Sequence, residues 1–280
     1  MVNKNTGAAK KKRRRREQRR ANKADDNSKS DEDSQALQKK PRNSKWNTSY
    51  AAMTIEQAQR RLGIRLDKVK TVPIDRMLYE RLGVNKETSD AVRETVYDRI
   101  VEYIIIEGYP TEASWDFKET NVSDLVLYTI GPILAGVRNT GRSIRLRRER
   151  EIVSVDGETG GNEEFVVVDE ITVEKDKFVL IIEAKRSSTG QALKQIMLSL
   201  KDARDNNEGG TVYGFITTGQ HWKMLSYDGA EFVMTDEFTV VFDTMQDNKE
   251  KWMKENSVVV DCVVVALTNG GIVKDVVVQG

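Results

Sequence analysis

Apolar residues recur along this chain in two rhythms, and the change from one to the other marks its plan. From Tyr50 to about Val137 they return every three or four positions, the spacing of one helix face. Thr54-Ile55-Glu56-Gln57 has capping-box spacing, which predicts a short helix to about Leu62 with Gly63 as its stop. Pro73 opens a second helix through Met77, Leu78 and Leu82, and Gly83 ends it. Val92, Val96, Ile100 and Tyr103 set a longer helix over Ser89–Glu107. Trp115–Lys118 reads as a loop, and Val122–Val137 as a helix that Pro132 should kink or divide.

From Ile144 the period shortens to two. Ile144–Val155 is expected to be the first core strand, with Gly157–Asn162 turning into a strand that carries Asp169. A tight charged turn near Glu174–Lys177 leads to a strand from about Phe178 to Lys185. Ser188 and Gln191 have capping-box spacing for the next helix, whose apolar stripe is Leu193, Ile196, Met197 and Leu200. Thr211–Thr218, His221–Tyr227 and Glu231–Met234 read as strands, the last two joined by the hairpin signal Asp228-Gly229. His221 reads as a strand or turn residue and Trp222 as sheet packing. Thr244–Glu255 reads as a helix. Val258–Leu267 reads as a strand by its β-branched residues, a run that periodicity alone does not separate from a buried helix.

Charge changes this picture at the N-terminus. The overall net charge is +1, yet residues 1–49 hold 16 Lys/Arg against 6 Asp/Glu, a net of +10, which leaves −9 for the rest. With so few large apolar side chains, residues 1–49 are expected to be disordered. Lys10–Arg16 and Lys39-Lys40-Pro41-Arg42 read as nuclear-localisation or nucleic-acid-tethering runs, or as a solubilising tail. The whole chain is 38% hydrophobic and 32% charged, as in a water-soluble protein. No uninterrupted apolar run approaches the ~20 residues of a membrane helix, and no apolar leader is visible. One cysteine, Cys262, and one histidine, His221, exclude an internal disulfide framework and argue against a Cys/His zinc site. An intracellular setting, with the nucleus favoured by the tail, fits these counts.

The candidate chemistry lies in Glu163–Gln195. Along a strand, Glu183 and Lys185 point to one face. If the hairpin pivots about Asp176, Asp169 lies across from Glu183, with Cβ atoms ~5 Å apart. Two adjacent carboxylates repel, and one tends to keep its proton. Mg²⁺ or Mn²⁺ would remove the conflict, because such cations take oxygen ligands and can activate water toward a phosphodiester. Lys185 would add positive charge for the attacked phosphate. The same residues also fit an ordinary hairpin face with its charges in solvent. Arg145 and Arg147 share one strand face that suits a phosphate backbone, or else discourages edge-to-edge aggregation. Glu94 and Glu102 read as exposed helix charges, with a helix-borne site acid as the alternative for either.

Asp169 followed by Glu183-Ala184-Lys185 at the end of an apolar strand resembles the PD-(D/E)xK, restriction-endonuclease-like nuclease superfamily. Ala192–Ile196 is similar to the helix after the catalytic strand, and Gly209–Gly229 to the strand pair that follows in the branch related to type I restriction subunits. The same order occurs in nuclease-like domains of Crinkler-type effectors. The likeness covers roughly Val122 to Phe242, and departs from the pattern in having Val168 where a proline often precedes the first acid. It implies an α/β fold, an αβββαβ core with a mixed central sheet flanked by helices. With the tail read from composition and the helical stretch from its spacing, the chain divides into four parts: a basic tail over 1–49, a helical part over 50–121, the nuclease-like core over 122–243 that the resemblance implies, and a C-terminal extension over 244–280. By the same resemblance Asp169, Glu183 and the Ala184 carbonyl would hold Mg²⁺ or Mn²⁺, Lys185 would polarise the water, and Gln195 would help position the site. Gln195 falls opposite Leu193 on the helix, so a solvent-facing role stays open.

The expected activity is metal-dependent hydrolysis of phosphodiesters, with DNA the favoured partner and no membrane. The resemblance admits a homodimer, since many such nucleases pair to cut both strands. The alternative is a non-catalytic module of the same fold that docks nucleic acid or a nuclear partner.

Overall fold

The structure, a computed structural model, describes residues 45–78, 86–111, 113–172, 175–187 and 189–272. The basic runs before residue 45, the Leu82–Gly83 helix stop and the Ser188 cap lie outside the described residues. From Lys45 onward the described residues form one compact unit. Residues 45–49, assigned by composition to the tail, are ordered: Asn47 N–H donates to Gly157 O at 3.0 Å.

Helix α1 (Ile55–Leu62) forms as its caps dictate. The Gln57 N–H donates to Thr54 Oγ1 at 3.2 Å, and the Thr54 N–H to Gln57 Oε1 at 2.8 Å. Gly63 closes the helix at φ 71°, a left-handed conformation that glycine adopts without strain. Helix α2 (Ile74–Leu78) follows Pro73, and α3 (Lys86–Glu107) and α4 (Glu119–Asn139) follow in turn. Pro132 does not divide α4, which runs through it as one helix. Nine of its residues are buried, and that packing outweighs the one hydrogen bond a proline removes. By length and composition alone α4 is apolar enough to cross a membrane, but here its buried residues belong to the core.

Nine strands make one sheet among the described residues: β1 (Thr48–Ser49), β2 (Lys70–Val72), β3 (Ile144–Val153), β4 (Thr159–Glu170), β5 (Asp176–Ala184), β6 (Val212–Thr217), β7 (His221–Tyr227), β8 (Phe232–Thr235) and β9 (Phe238–Thr239). The order is β1-β4-β5-β6-β7-β8-β2, with β3 on β4 and β9 on β7. β5 and β6 are parallel and joined across helix α5 (Thr189–Asn206), while β3–β4, β4–β5 and β6–β7 are antiparallel. The fold is therefore mixed α/β with a mixed central sheet. Phe165, Val167, Leu180 and Ile182 pack on one face with α3, α4 and the C-terminal helix α6 (Val258–Asn269). Val166, Val168 and Ile181 pack on the other with α1 and α5.

Two local expectations fail for packing reasons. The Gly157–Asn162 stretch does not turn throughout; β4 already starts at Thr159. Gly160 and Gly161 serve a close approach, since a Cβ on Gly161 would meet the Tyr50 ring at 2.5 Å and one on Gly160 the Trp46 ring at 2.7 Å. Val258–Leu267 is helical, not a strand, and α6 is buried nearly throughout. A helix this rich in apolar residues has the environment it requires when the sheet and α4 cover it, and this overrides β-branched propensity.

Helix α5 is tied to the N-terminal segment by buried polar groups. Lys194 Nζ donates to the carbonyls of Ala51 and Met53 at 3.1 and 2.6 Å. Buried Asp202 accepts from Tyr50 Oη at 2.9 Å and from Thr159 Oγ1 at 2.7 Å.

Candidate active site

The predicted Glu183–Lys185 contact is present. Glu183 ends β5 and is 4% exposed, while Lys185 follows Ala184 just past the strand. Lys185 Nζ lies 3.0 Å from Glu183 Oε1 and 2.8 Å from Glu119 Oε1, the first residue of α4. The Lys185 N–H donates to Thr217 O at 2.9 Å, which fixes the backbone there against β6. The cluster thus sits at the carboxyl end of a parallel strand, between the start of α4 and the chain entering α5. That end of an open α/β sheet is where such folds place their ligands.

Asp169 is not part of it. The observed register sets Asp169 opposite Lys177 and Ile144, and Glu170 opposite Asp176. Asp169 accepts from Arg142 Nε at 3.0 Å, at the far end of β4 from Glu183. The cause is the turn. Ile171 and Thr172 N–H groups both donate to Lys175 O, so the reversal falls ahead of Asp176, and Asp176 is already in β5.

The acid that meets Glu183 is Glu163, twenty residues earlier on β4. It is 2% exposed, and its carboxyl hydrogen-bonds that of Glu183. Its Oε2 is buried without a hydrogen-bond partner. Burial first, then the charge and hydrogen bond of Glu183, push the Glu163 carboxyl well above its ordinary range, and Lys185 opposes this only in part. Burial alone would lower Lys185, but Glu183, Glu119 and their hydrogen bonds outweigh it and hold the ammonium charged. Next to the pair, Glu164 is raised chiefly by burial and bonded to Ser123 of α4. Arg148 Nη2 lies 3.8 Å from Glu164, with its guanidinium 4.2 Å from the centre of the Phe165 ring.

The other expected residues fall elsewhere. Ala184 lies between Glu183 and Lys185, with its methyl group in the core. Gln195 is half-buried in α5, and among the described residues its side chain is not joined to Glu163, Glu183 or Lys185. Arg145 and Arg147 do share a face, but both reach Glu170, at 3.3 and 2.8 Å, beside the turn and not beside the cluster. The arginine next to the acids is Arg148. Glu94 pairs with Lys249 and Glu102 with Arg99, so the helix-borne acid at the cluster is Glu119.

Two hydrogen-bonded buried carboxyls, one of them driven toward its protonated form and left with an orphaned oxygen, with a charged amine beside them, are suited to a divalent cation. A cation would replace the shared proton and satisfy the orphan. Among the described residues no group of three or more His, Cys, Asp or Glu gathers that could hold a metal ion, so of the side chains here only Glu163 and Glu183 could offer a cation a carboxyl pair. The chain matches no family model and no curated protein. What fold and cluster define is a mixed α/β protein with a glutamate pair and a lysine at the end of its central sheet.

Proposed function

We propose that this protein is a divalent-metal-dependent nuclease with a restriction-endonuclease-like core, acting on phosphodiester bonds, DNA foremost. The observation that carries the reading is the Glu163–Glu183 carboxyl pair with its unsatisfied Oε2 and Lys185 3.0 Å from Glu183. Glu163 and Glu183, with the Ala184 carbonyl, would hold Mg²⁺ or Mn²⁺. Such an ion supplies Lewis acidity toward the phosphate and lowers the pKa of a bound water. Lys185, kept protonated by Glu183 and Glu119, offers a fixed positive charge where a pentavalent phosphorane would carry its negative charge. Glu119 orients that ammonium and balances it until substrate arrives. Arg148 stands where a neighbouring phosphate would find a planar donor. The sheet order β3-β4-β5-β6, with α4 on one face and the α5 crossover on the other, supports the fold assignment.

A second reading keeps the fold and drops catalysis, leaving a module that docks nucleic acid or a nuclear partner. One observation favours it: among the described residues no group of three or more His, Cys, Asp or Glu gathers that could hold a metal, so an ion would have few protein ligands. Purified protein incubated with plasmid and single-stranded DNA in Mg²⁺ or Mn²⁺ separates the two. Cleavage by wild type that is lost in Lys185→Ala and Glu163→Gln supports the nuclease. Wild type that does not cleave, or variants that cleave as well as wild type, would sink it. Calorimetry showing no binding of either ion would favour the docking module.

A further inference from the structure

Trp115 is 84% exposed, the most exposed large apolar side chain among the described residues. It does not stand on a loose loop. The Ser114 N–H donates to Thr111 O at 3.1 Å, the Phe117 N–H to Ser114 O at 3.3 Å, and Phe117 itself is buried. Arg186 Nη2 donates to Ser114 O at 3.1 Å, and Gln220 Nε2 donates to Pro110 O. An indole this exposed is thus presented by an anchored turn.

The turn borders the acid–lysine cluster on two sides. Arg186, which holds Ser114, directly follows Lys185. Glu119, which accepts from Lys185 Nζ, comes four residues after Trp115, no more than about 14 Å of extended chain. Lys118 is exposed between them, and Asp116, the residue after Trp115, is exposed too. Arg186 and Lys118 thus put two cations on the segments that link the exposed ring to the cluster.

We propose that Trp115 is a base-stacking platform, and that the site takes single-stranded or frayed nucleic acid. An unpaired base lies on the indole while its phosphates pass Arg186 and Lys118 toward Lys185. Inside a duplex both faces of every base are covered by neighbouring bases, so a ring on the protein surface gains contact only where a base is unpaired. Stacking is indifferent to sequence, because every base has a π face. This rests on the nuclease reading for the identity of the partner, and it goes further by naming the form of the substrate.

The test is binding of the full chain to a fluorescently labelled single strand and to its duplex, by anisotropy, in EDTA. Trp115→Ala should bind the single strand about 5- to 150-fold more weakly, the range spanned by stacking one base on an aromatic side chain. Trp115→Phe should retain most of the affinity, and duplex binding should not change in either variant. The single strand should also quench tryptophan emission in wild type and not in Trp115→Ala, since Trp222 and Trp252 are buried and Trp46 is half-buried. Equal weakening for both nucleic acids, or no weakening, overturns the proposal. So does emission that responds to phosphatidylserine vesicles and not to oligonucleotides, which would make the ring a membrane contact alongside exposed Ile105 and Ile106. No bond is cut in EDTA, so failure here leaves the cleavage assay untouched. Trp115-dependent binding without cleavage in metal would overturn the nuclease reading alone.

Discussion

Replacing Glu163 with glutamine should stabilise the metal-free protein, and more so at higher pH. In the unfolded chain the Glu163 carboxyl titrates at its ordinary value of 4.5, while in the folded protein burial and Glu183 raise it well above that. Above 4.5 the folded state therefore binds more protons than the unfolded state, and stability falls as pH rises. The contribution is fully present below the unfolded value and is lost as pH climbs through the folded one. Each pH unit within that window costs about 1.4 kcal/mol. For a domain of this size that is a drop in Tm of about 3–6 °C per pH unit. Glutamine does not titrate, and its amide donates to Glu183 where the shared proton did. Scanning calorimetry of both proteins in EDTA between pH 5 and 8 gives the difference in Tm, in which the other titrating groups largely cancel. That difference should widen in favour of Glu163→Gln as pH rises, and Mn²⁺ should flatten the wild-type profile. A difference that stays constant across the range, or a wild type more stable than Glu163→Gln at pH 8, would refute the shared-proton account of the pair.

Asp169→Asn should weaken the Arg142 contact and cost about 1–3 kcal/mol in urea denaturation, with metal-dependent cleavage retained. Loss of cleavage at unchanged stability would return the first acid to Asp169. Tyr50→Phe should cost about 0.5–2 kcal/mol, because Asp202 is buried and keeps only Thr159 and the more distant Arg61. An unchanged urea midpoint would mean the hydroxyl does not help hold the N-terminal segment to α5.

Much of this architecture was legible from local signals. The Thr54 box, the Gly63 stop and the Glu183–Lys185 contact each depend on residues close in sequence, where capping chemistry and strand alternation decide the outcome. The first acid was not legible, because its identity depends on where a hairpin reverses. Each residue by which the apex moves shifts every cross-strand partner by two. Placing the reversal at Asp176, when Asp176 already pairs with Glu170, put Asp169 opposite Glu183, whereas the ladder runs Phe165 against Ile182 and the carboxyl that meets Glu183 is that of Glu163. A β-bulge between Val167 and Val168 added a further irregularity that no alternation pattern announces. Glu119 was missed for a related reason: it enters the cluster through the angle at which α4 meets the sheet, and nothing in the chain around it encodes that angle. Val258–Leu267 misled because burial on all sides, and not residue preference, selects its conformation.

The ammonium of Lys194 bears on how the protein tolerates being shortened. It lies within the first two turns of α5, the end nearest Glu183, and its two acceptors are Ala51 and Met53. A protease nicking behind Met53 would strand that cation in a dry interior and deprive Asp202 of Tyr50 in the same stroke. The helix would then unwind from the end that abuts the glutamates, and the protein would be silenced by a cut that never touches them.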